Sequence, residues 1–196
     1  IETGDGDDVV YAGHGNDYIY NFQGADYIDG GDGDDTIVTR YENDTLVGGK
    51  GNDYFSDNLD GDELFIFNLG DGNDTIYNNR GNDTVQFGEG ITKDNIIFTG
   101  DIVNLVIRFT NSNDSITIEN CIGDENFVIE NFKFSDGTTL SYEEVKNLLV
   151  TKGTDGNDNI IGSNASEKIY GFGGDDTIDA RNGNDTIYGG TGNDYI

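Results

Sequence analysis

From Thr3 to Phe65 the chain repeats itself every nine residues without a gap. The seven units are TGDGDDVVY, AGHGNDYIY, NFQGADYID, GGDGDDTIV, TRYENDTLV, GGKGNDYFS and DNLDGDELF. Place six is always Asp: Asp8, Asp17, Asp26, Asp35, Asp44, Asp53 and Asp62. Place eight is always apolar: Val10, Ile19, Ile28, Ile37, Leu46, Phe55 and Leu64. A three-residue insertion, Ile66 to Asn68, precedes LGDGNDTIY and NNRGNDTVQ, which supply Asp74 and Asp83. A period this short excludes most folds. One unit can bury a single side chain, so units must stack on their neighbours to make a core.

The unit Gly30 to Val38 shows what stacks. Glycines at places one, two and four let the backbone turn tightly with its carbonyls exposed. The last three residues form a short strand with one inward side chain. Two units make one turn of a coil, and successive turns pair their strands in parallel. Alternate units then share an edge, with Asp8, Asp26, Asp44 and Asp62 on one and Asp17, Asp35 and Asp53 on the other. Carboxylates stacked about 4.8 Å apart repel by roughly 3 kcal/mol at an effective dielectric near 20. Such a column opposes its own formation unless a cation lies between the loops. Exposed carbonyls with a carboxylate are the hard oxygen ligands that Ca²⁺ collects, roughly six to eight at a time. No twelve-residue helix-flanked loop ending in Glu, the rival calcium motif, is present.

Composition agrees. The chain has 196 residues, 39 acidic against 10 basic, and a formal charge of −29 with 34% apolar residues. Without a bound cation, such a chain would stay disordered. The charge argues against nucleic acid and anionic membranes as direct partners. Cys121 is alone, so no disulfide framework exists, and it reads as a small buried residue. His14, the single histidine, reads as a solvent-facing turn residue, and no catalytic constellation accompanies it. The expectation is therefore a non-enzyme. The chain opens on Ile and closes inside a repeat, as a fragment of a longer protein would.

Near Phe87 the period breaks. Leu105, Ile107 and Phe109 alternate with Val106 and Arg108, as in a half-buried strand. Further strands are expected at Ile96 to Phe98, Ser115 to Ile118 and Phe127 to Phe134. A turn follows at Ser135 to Thr138, and Ser141-Tyr142-Glu143-Glu144 reads as a capping box opening a helix to about Leu149. At Gly153 the repeat resumes as GTDGNDNII, GSNASEKIY, GFGGDDTID, ARNGNDTIY and GGTGNDYI. Its place-six residues are Asp158, Glu167, Asp176, Asp185 and Asp194. Three units of organisation are expected: a repeat block 1–86, an insert 87–152 expected to bind little calcium and to cover the end of the first block, and a repeat block 153–196. Two sites are expected to be weak or vacant. One is at Glu167, whose loop has lost glycines. The other is at Asp44, whose loop has none and brings in Arg40.

The units resemble the RTX (repeats-in-toxin) family of type I-secreted bacterial proteins, and the insert resembles the haemolysin-type calcium-binding related segment. The resemblance implies an all-β fold, a right-handed parallel β-roll in two blocks interrupted by a β-rich insert ending in a short helix. It implies several Ca²⁺ ions, each held by carbonyls and Asp of two loops. Gly13, Gly15 and Asp17 would face Gly30, Asp32 and Asp35, and Gly31, Gly33 and Asp35 would face Gly48, Lys50 and Asp53. Gly4, Gly6, Asp8, Asp26, Gly49, Gly51, Asp62, Asp71, Asp74 and Asp83 complete the first block's set. In the second block, Phe172, Gly174 and Asp176 would face Gly189, Thr191 and Asp194, with Thr154, Gly156, Asp158, Gly171, Gly173 and Asp185 completing it. The family further implies a secreted, extracellular bacterial protein, with the type I secretion machinery and a host cell-surface receptor as partners. The function implied is a toxin or cytolysin module that folds on Ca²⁺ after secretion, without itself inserting into a membrane. The alternative is an export or adhesion module of a secreted hydrolase or adhesin.

Overall fold

Each complete unit folds as a tight loop followed by a strand of three to six residues. The computed structural model describes residues 1–59 and 61–196. In chain order it runs β1 (Val9–His14), β2 (Tyr18–Tyr20), β3 (Tyr27–Asp32), β4 (Thr36–Thr39), β5 (Thr45–Lys50) and β6 (Tyr54–Asp57). Then come β7 (Leu64–Phe67), β8 (Asn73–Tyr77), β9 (Thr84–Phe87), β10 (Ile96–Gly100), β11 (Leu105–Phe109) and β12 (Ser115–Ile118). A 3₁₀ turn (Glu125–Phe127) leads to β13 (Asn131–Lys133), β14 (Thr139–Ser141) and helix α1 (Tyr142–Lys146). The last residues of the insert form β15 (Val150–Lys152), and the second block holds β16 (Asn159–Ile161), β17 (Lys168–Tyr170), β18 (Thr177–Asp179) and β19 (Thr186–Tyr188).

Odd and even strands of the first block form two facing sheets, β1-β3-β5-β7-β9-β13-β14 and β2-β4-β6-β8-β12-β11-β10. The result is a parallel β-solenoid of about ten turns. Stacking in register makes two apolar columns. Val10, Ile28, Leu46, Phe65, Val85 and Phe132 pair in sequence up one sheet. Ile19, Ile37, Phe55, Ile76 and Ile118 pair up the other. Phe55 lies edge-on to both Phe65 and Phe67, with centroids 5.6 and 5.8 Å apart. Phe55→Ala should therefore cost about 3–5 kcal/mol, read by denaturant unfolding in calcium.

The seventh unit corrects the expected register. Thr45 pairs with Leu64, one residue further than the 18-residue turn, and Tyr54 pairs with Thr75, three further. The three inserted residues are therefore split, one before Glu63 and two between Phe67 and Asn73. The inward residue is Phe65, fully buried, and Leu64 is only partly buried. Leu64, Phe65, Ile66 and Phe67 are all apolar, so alternation could not show which pair faces in; the larger phenyl groups fill the column.

Residues beyond Phe87 extend the sheets rather than forming a separate layer. β12 pairs in parallel with β8, and β13 with β9. β10, β11 and β14 then run antiparallel and close the stack, so each sheet ends in antiparallel strands. The expected strand over Phe127 to Phe134 is shorter. Asp124 caps the 3₁₀ turn by accepting from Asn126 N–H, and pairing begins only at Asn131. The capping box is formed by Ser141 and Glu144, but α1 stops at Lys146 because the chain must become extended for β15. With β15 from the insert, the second block stacks β15-β17-β19 and β16-β18 in parallel over Ile160, Ile169 and Ile178. No helix among the described residues is long and apolar enough to cross a membrane.

Candidate metal centre

The place-six carboxylates climb the solenoid as a ladder. Above the lowest turn, one oxygen of each ladder residue accepts the backbone N–H of the acidic residue one turn below. Asp17 N–H donates to Asp35 at 2.7 Å, Asp35 N–H to Asp53 at 2.8 Å, and Asp53 N–H to Asp74 at 2.9 Å. The second oxygen separates the two edges. In the loops leading into β2, β4 and β6, the Oδ2 atoms of Asp17, Asp35 and Asp53 are buried with no partner among the described residues. A buried, orphaned carboxylate oxygen is expensive unless something positive completes it.

The surroundings of these orphans suit a cation. Gly30 leaves open the space beside Asp35 Oδ2 and the Gly48 carbonyl, and a Cβ built there would overlap both. The Gly31 and Gly33 carbonyls rise toward Gly49 and Gly51, again where a Cβ would collide. Gly13 and Gly15 carbonyls meet Gly31 and Gly33 in the same way. The Asp32, Lys50 and Asp71 carbonyls each accept one N–H, from Gly15, Gly33 and Gly51 at 2.7, 2.7 and 2.6 Å. Carbonyls and carboxylate thus converge where glycine leaves room. Among the described residues no three acidic, thiol or imidazole groups gather on one point, which fits ligands drawn mainly from the backbone. Burial pushes the Asp53 carboxyl up to about 6 and Asp74 up to about 7, with Asp35 and Asp53 respectively adding repulsion from the turn below.

The second block repeats this geometry along Asp158, Asp176 and Asp194. Asp176 accepts from Asp158 N–H at 2.9 Å, and its Oδ2 is orphaned beside Gly171 and the Gly189 carbonyl. Phe172 adopts φ 72°, and the Phe172 and Gly174 carbonyls point at Gly190 and Gly192. Gly173 and Thr191 are joined by an isolated parallel bridge between loops. Asp158 differs, since Thr154 donates to its Oδ2 through both N–H and Oγ1 at 2.6 and 3.0 Å. The Thr154 hydroxyl also accepts from Gly156 N–H.

The opposite edge is built differently, which the single-repeat pattern does not reveal. Buried Asn21 donates Nδ2 to Asp26 Oδ2 at 2.6 Å and to Asp44 Oδ2 at 3.1 Å. The other oxygens of Asp26 and Asp44 accept from Asp8 and Asp26 N–H. An amide stands where the glycine edge leaves a gap. Asn78 does the same for Asp83 at 2.6 Å. Around Gly4 and Gly6 the set is also internal: Asp8 accepts from Gly4 N–H, and Thr3 donates to Asn21 at 2.5 Å. The glycine-free Asp44 loop turns with Glu42 at φ 70°, the positive φ expected of it, and the Asn21 amide adds a second reason for a weak site there. Arg40 sits over the Tyr20 ring at 5.0 Å, and Asn21 supplies the positive end of a dipole. Glu167 has both oxygens held, by Ser163 N–H at 2.5 Å and Thr151 Oγ1 at 2.6 Å. Its own N–H donates to Asp185 at 3.1 Å.

Asp62 is displaced by the register shift. The ladder position falls to Glu63, whose N–H donates to Asp83 at 2.8 Å, while Asp62 is exposed and accepts from Asn82 N–H. Above Asp83 the ladder continues onto Glu130, which accepts its N–H at 2.7 Å. Above Asp74 comes buried Ile116, and the column ends. Sequence reasoning missed Asn21, Glu63, Asn78 and Glu130. The signal for the asparagines was the alternation at place one, where Thr3, Asn21, Thr39, Asp57 and Asn78 interleave with Ala12, Gly30 and Gly48. Asn21→Ala should leave two buried carboxylate oxygens without a donor and cost about 1–3 kcal/mol, measured by denaturant unfolding.

His14 is exposed and lies 2.9 Å from Asp32, itself held by Lys50 at 3.1 Å. Cys121 is buried, and burial pushes its thiol up to about 12.

Residues 1–28, 20–55, 29–63, 66–91, 152–187 and 170–196, more than half of the chain, match the model described as RTX calcium-binding nonapeptide repeat. Residues 104–144 match the haemolysin-type calcium binding protein related domain. No curated protein matches the chain. Among solved structures, the extracellular lipase LipA from Serratia marcescens is similar at 20% identity and a TM-score of 0.24. The match covers 87% of this chain and 27% of that one.

Proposed function

The chain belongs to the RTX calcium-binding nonapeptide repeat family, and from that premise we propose that it is the calcium-gated folding module of a secreted bacterial toxin. In this reading it leaves the cell unfolded through the type I secretion machinery and folds in extracellular calcium. A single observation carries the proposal: the orphaned Oδ2 atoms of Asp17, Asp35, Asp53 and Asp176 line up along glycine-edge loops whose gaps suit an ion. Asp17 with Asp35, Asp35 with Asp53, and Asp176 with Asp194 would each hold one Ca²⁺ together with the carbonyls of Gly13, Gly15, Gly31, Gly33, Phe172 and Gly174. When bound, the ion supplies charge neutralisation between turns, and the module does no chemistry of its own. Binding metal that the unfolded chain cannot hold becomes folding free energy.

Equilibrium dialysis of the chain against Ca²⁺ and Mg²⁺ tests the binding. Several Ca²⁺ per chain are expected, with little Mg²⁺, which demands tighter octahedral geometry. Absence of bound Ca²⁺ would overturn the reading. The toxin assignment of the parent is supported by the haemolysin-type related segment at 104–144. Lysis of host cells by the full-length parent is its test, and a parent that hydrolyses esters without lysing cells would move the assignment to a secreted hydrolase.

A further inference from the structure

Midway along the asparagine edge the amide ladder is interrupted. The place-one column runs Asn21, Thr39, Asp57, Asn78, with Thr39 and Asp57 directly paired across β4 and β6. Asn21 serves Asp26 and Asp44, and Asn78 serves Asp83. Between them stand Thr39 and Asp57, which offer their neighbour Glu63 no amide. Three polar atoms here have no partner among the described residues: Thr39 Oγ1, Glu63 Oε2 and Asn78 Oδ1. Their residues are 1%, 2% and 0% exposed, and Asp57 is 1% exposed. Asp57 accepts from Leu59 N–H at 3.3 Å and Asn79 N–H at 3.2 Å, both long. Asp44 and Asp83 add negative charge from the ladder column.

The arginines of the same repeat units are engaged elsewhere. Arg40 lies over Tyr20, and Arg80 donates to the Asn126 side chain at 3.1 Å. Register stacks Thr39, Asp57 and Asn78 on successive turns, Asp57 repels Glu63, and the Glu63 carboxyl is hydrogen-bonded to that of Asp83, so two carboxylates, a hydroxyl and an amide oxygen are buried on this face with nothing positive among the described residues.

We propose that Thr39 Oγ1, Asp57, Glu63 and Asn78 Oδ1 form a further Ca²⁺ site, built from side chains on the edge opposite the glycine loops. The donors are all oxygens, as Ca²⁺ prefers, and they mix charged with neutral ligands. No three acidic groups gather on one point, so the shell needs the Thr39 and Asn78 oxygens as well as the carboxylates. The ion would do for Glu63 and Asp57 what the Asn21 amide does one turn below, and its burial makes it slow to leave. The inference is independent of occupancy at the glycine edge, because it shares no ligand with those loops.

The test is calcium stoichiometry in the double variant Asp57→Asn/Glu63→Gln, beside the wild type and a glycine-edge control, Asp35→Asn. The double variant should lose one ion while Asp35→Asn retains this site. An unchanged count in a folded double variant would overturn the site and leave as the occupant a proton shared between Glu63 and Asp83, whose carboxyls are hydrogen-bonded to each other. Should the double variant fail to fold, anomalous scattering from a wild-type crystal grown in calcium decides. Density among Thr39, Asp57, Glu63 and Asn78 supports the site, and its absence there overturns it. No density at Asp35 and Asp53 in the same crystal would refute the glycine-edge reading separately.

Discussion

Chelating calcium should convert this chain from β structure to coil, and millimolar Ca²⁺ should restore it, as read by far-ultraviolet circular dichroism. The formal charge is −29, and the carboxylates of Asp17, Asp35, Asp53 and Asp74 are stacked turn on turn. The carboxylates of Asp35, Asp53 and Asp74 each accept one backbone N–H, from Asp17, Asp35 and Asp53. The Oδ2 atoms of Asp17, Asp35 and Asp53 have no donor among the described residues. Roughly 3 kcal/mol of repulsion per adjacent pair, at an effective dielectric near 20, cancels the about 1.5–3 kcal/mol that one apolar residue per unit returns on burial. Protons can stand in for the ion. Burial raises Asp53 from 3.8 to about 6 and Asp74 from 3.8 to about 7. A folded pKa above the unfolded one means that the folded chain keeps protons which the unfolded chain has released. In chelator, stability is then lost as pH rises through about 4 to 7 and regained as it falls. Acidifying the chelated chain from pH 7 towards 4 should restore part of the β signal. Equal spectra with and without calcium at pH 7 would contradict the account.

Gly30→Ala should remove one ion and leave the rest of the solenoid in place. Gly30 is not in the left-handed region, so the backbone tolerates Ala there, and the effect is confined to space. The added Cβ would overlap Asp35 Oδ2 and the Gly48 carbonyl, the two groups that frame the gap. With calcium at about a thousand times the dissociation constant, losing one site costs about 4 kcal/mol of linkage stabilisation. Calorimetry should show one ion fewer and a lower melting temperature, and the deficit should shrink as calcium is diluted. A variant with full stoichiometry would show that the gap is not where the metal sits.

The solenoid was legible because its period is in the spelling. Nine residues hold one inward side chain, so Ile19, Ile37 and Phe55 announce a column without reference to anything distant. The register slip at Phe65 was not legible. DGDELF fits the pattern with either Asp62 and Leu64 or Glu63 and Phe65, and only pairing with Thr45 and Leu46 decides. The two edges looked equivalent because place six is Asp on both. What separates them is the side chain at place one, which acts across a turn: Asn21 reaches Asp44, 23 residues away. Period alone cannot see a contact of that kind. The strands beyond Phe87 were visible by alternation. Their continuation of the parallel sheets depends on pairings such as Ile118 with Ile76, which alternation does not encode.

Anomalous diffraction from a crystal grown in calcium tests the central claim most directly. Calcium is expected between the Asp17 and Asp35 loops, between Asp35 and Asp53, and between Asp176 and Asp194. None is expected between Asp26 and Asp44, where Asn21 fills the gap. Ions distributed equally along both edges, or missing beside Asp35, would contradict it.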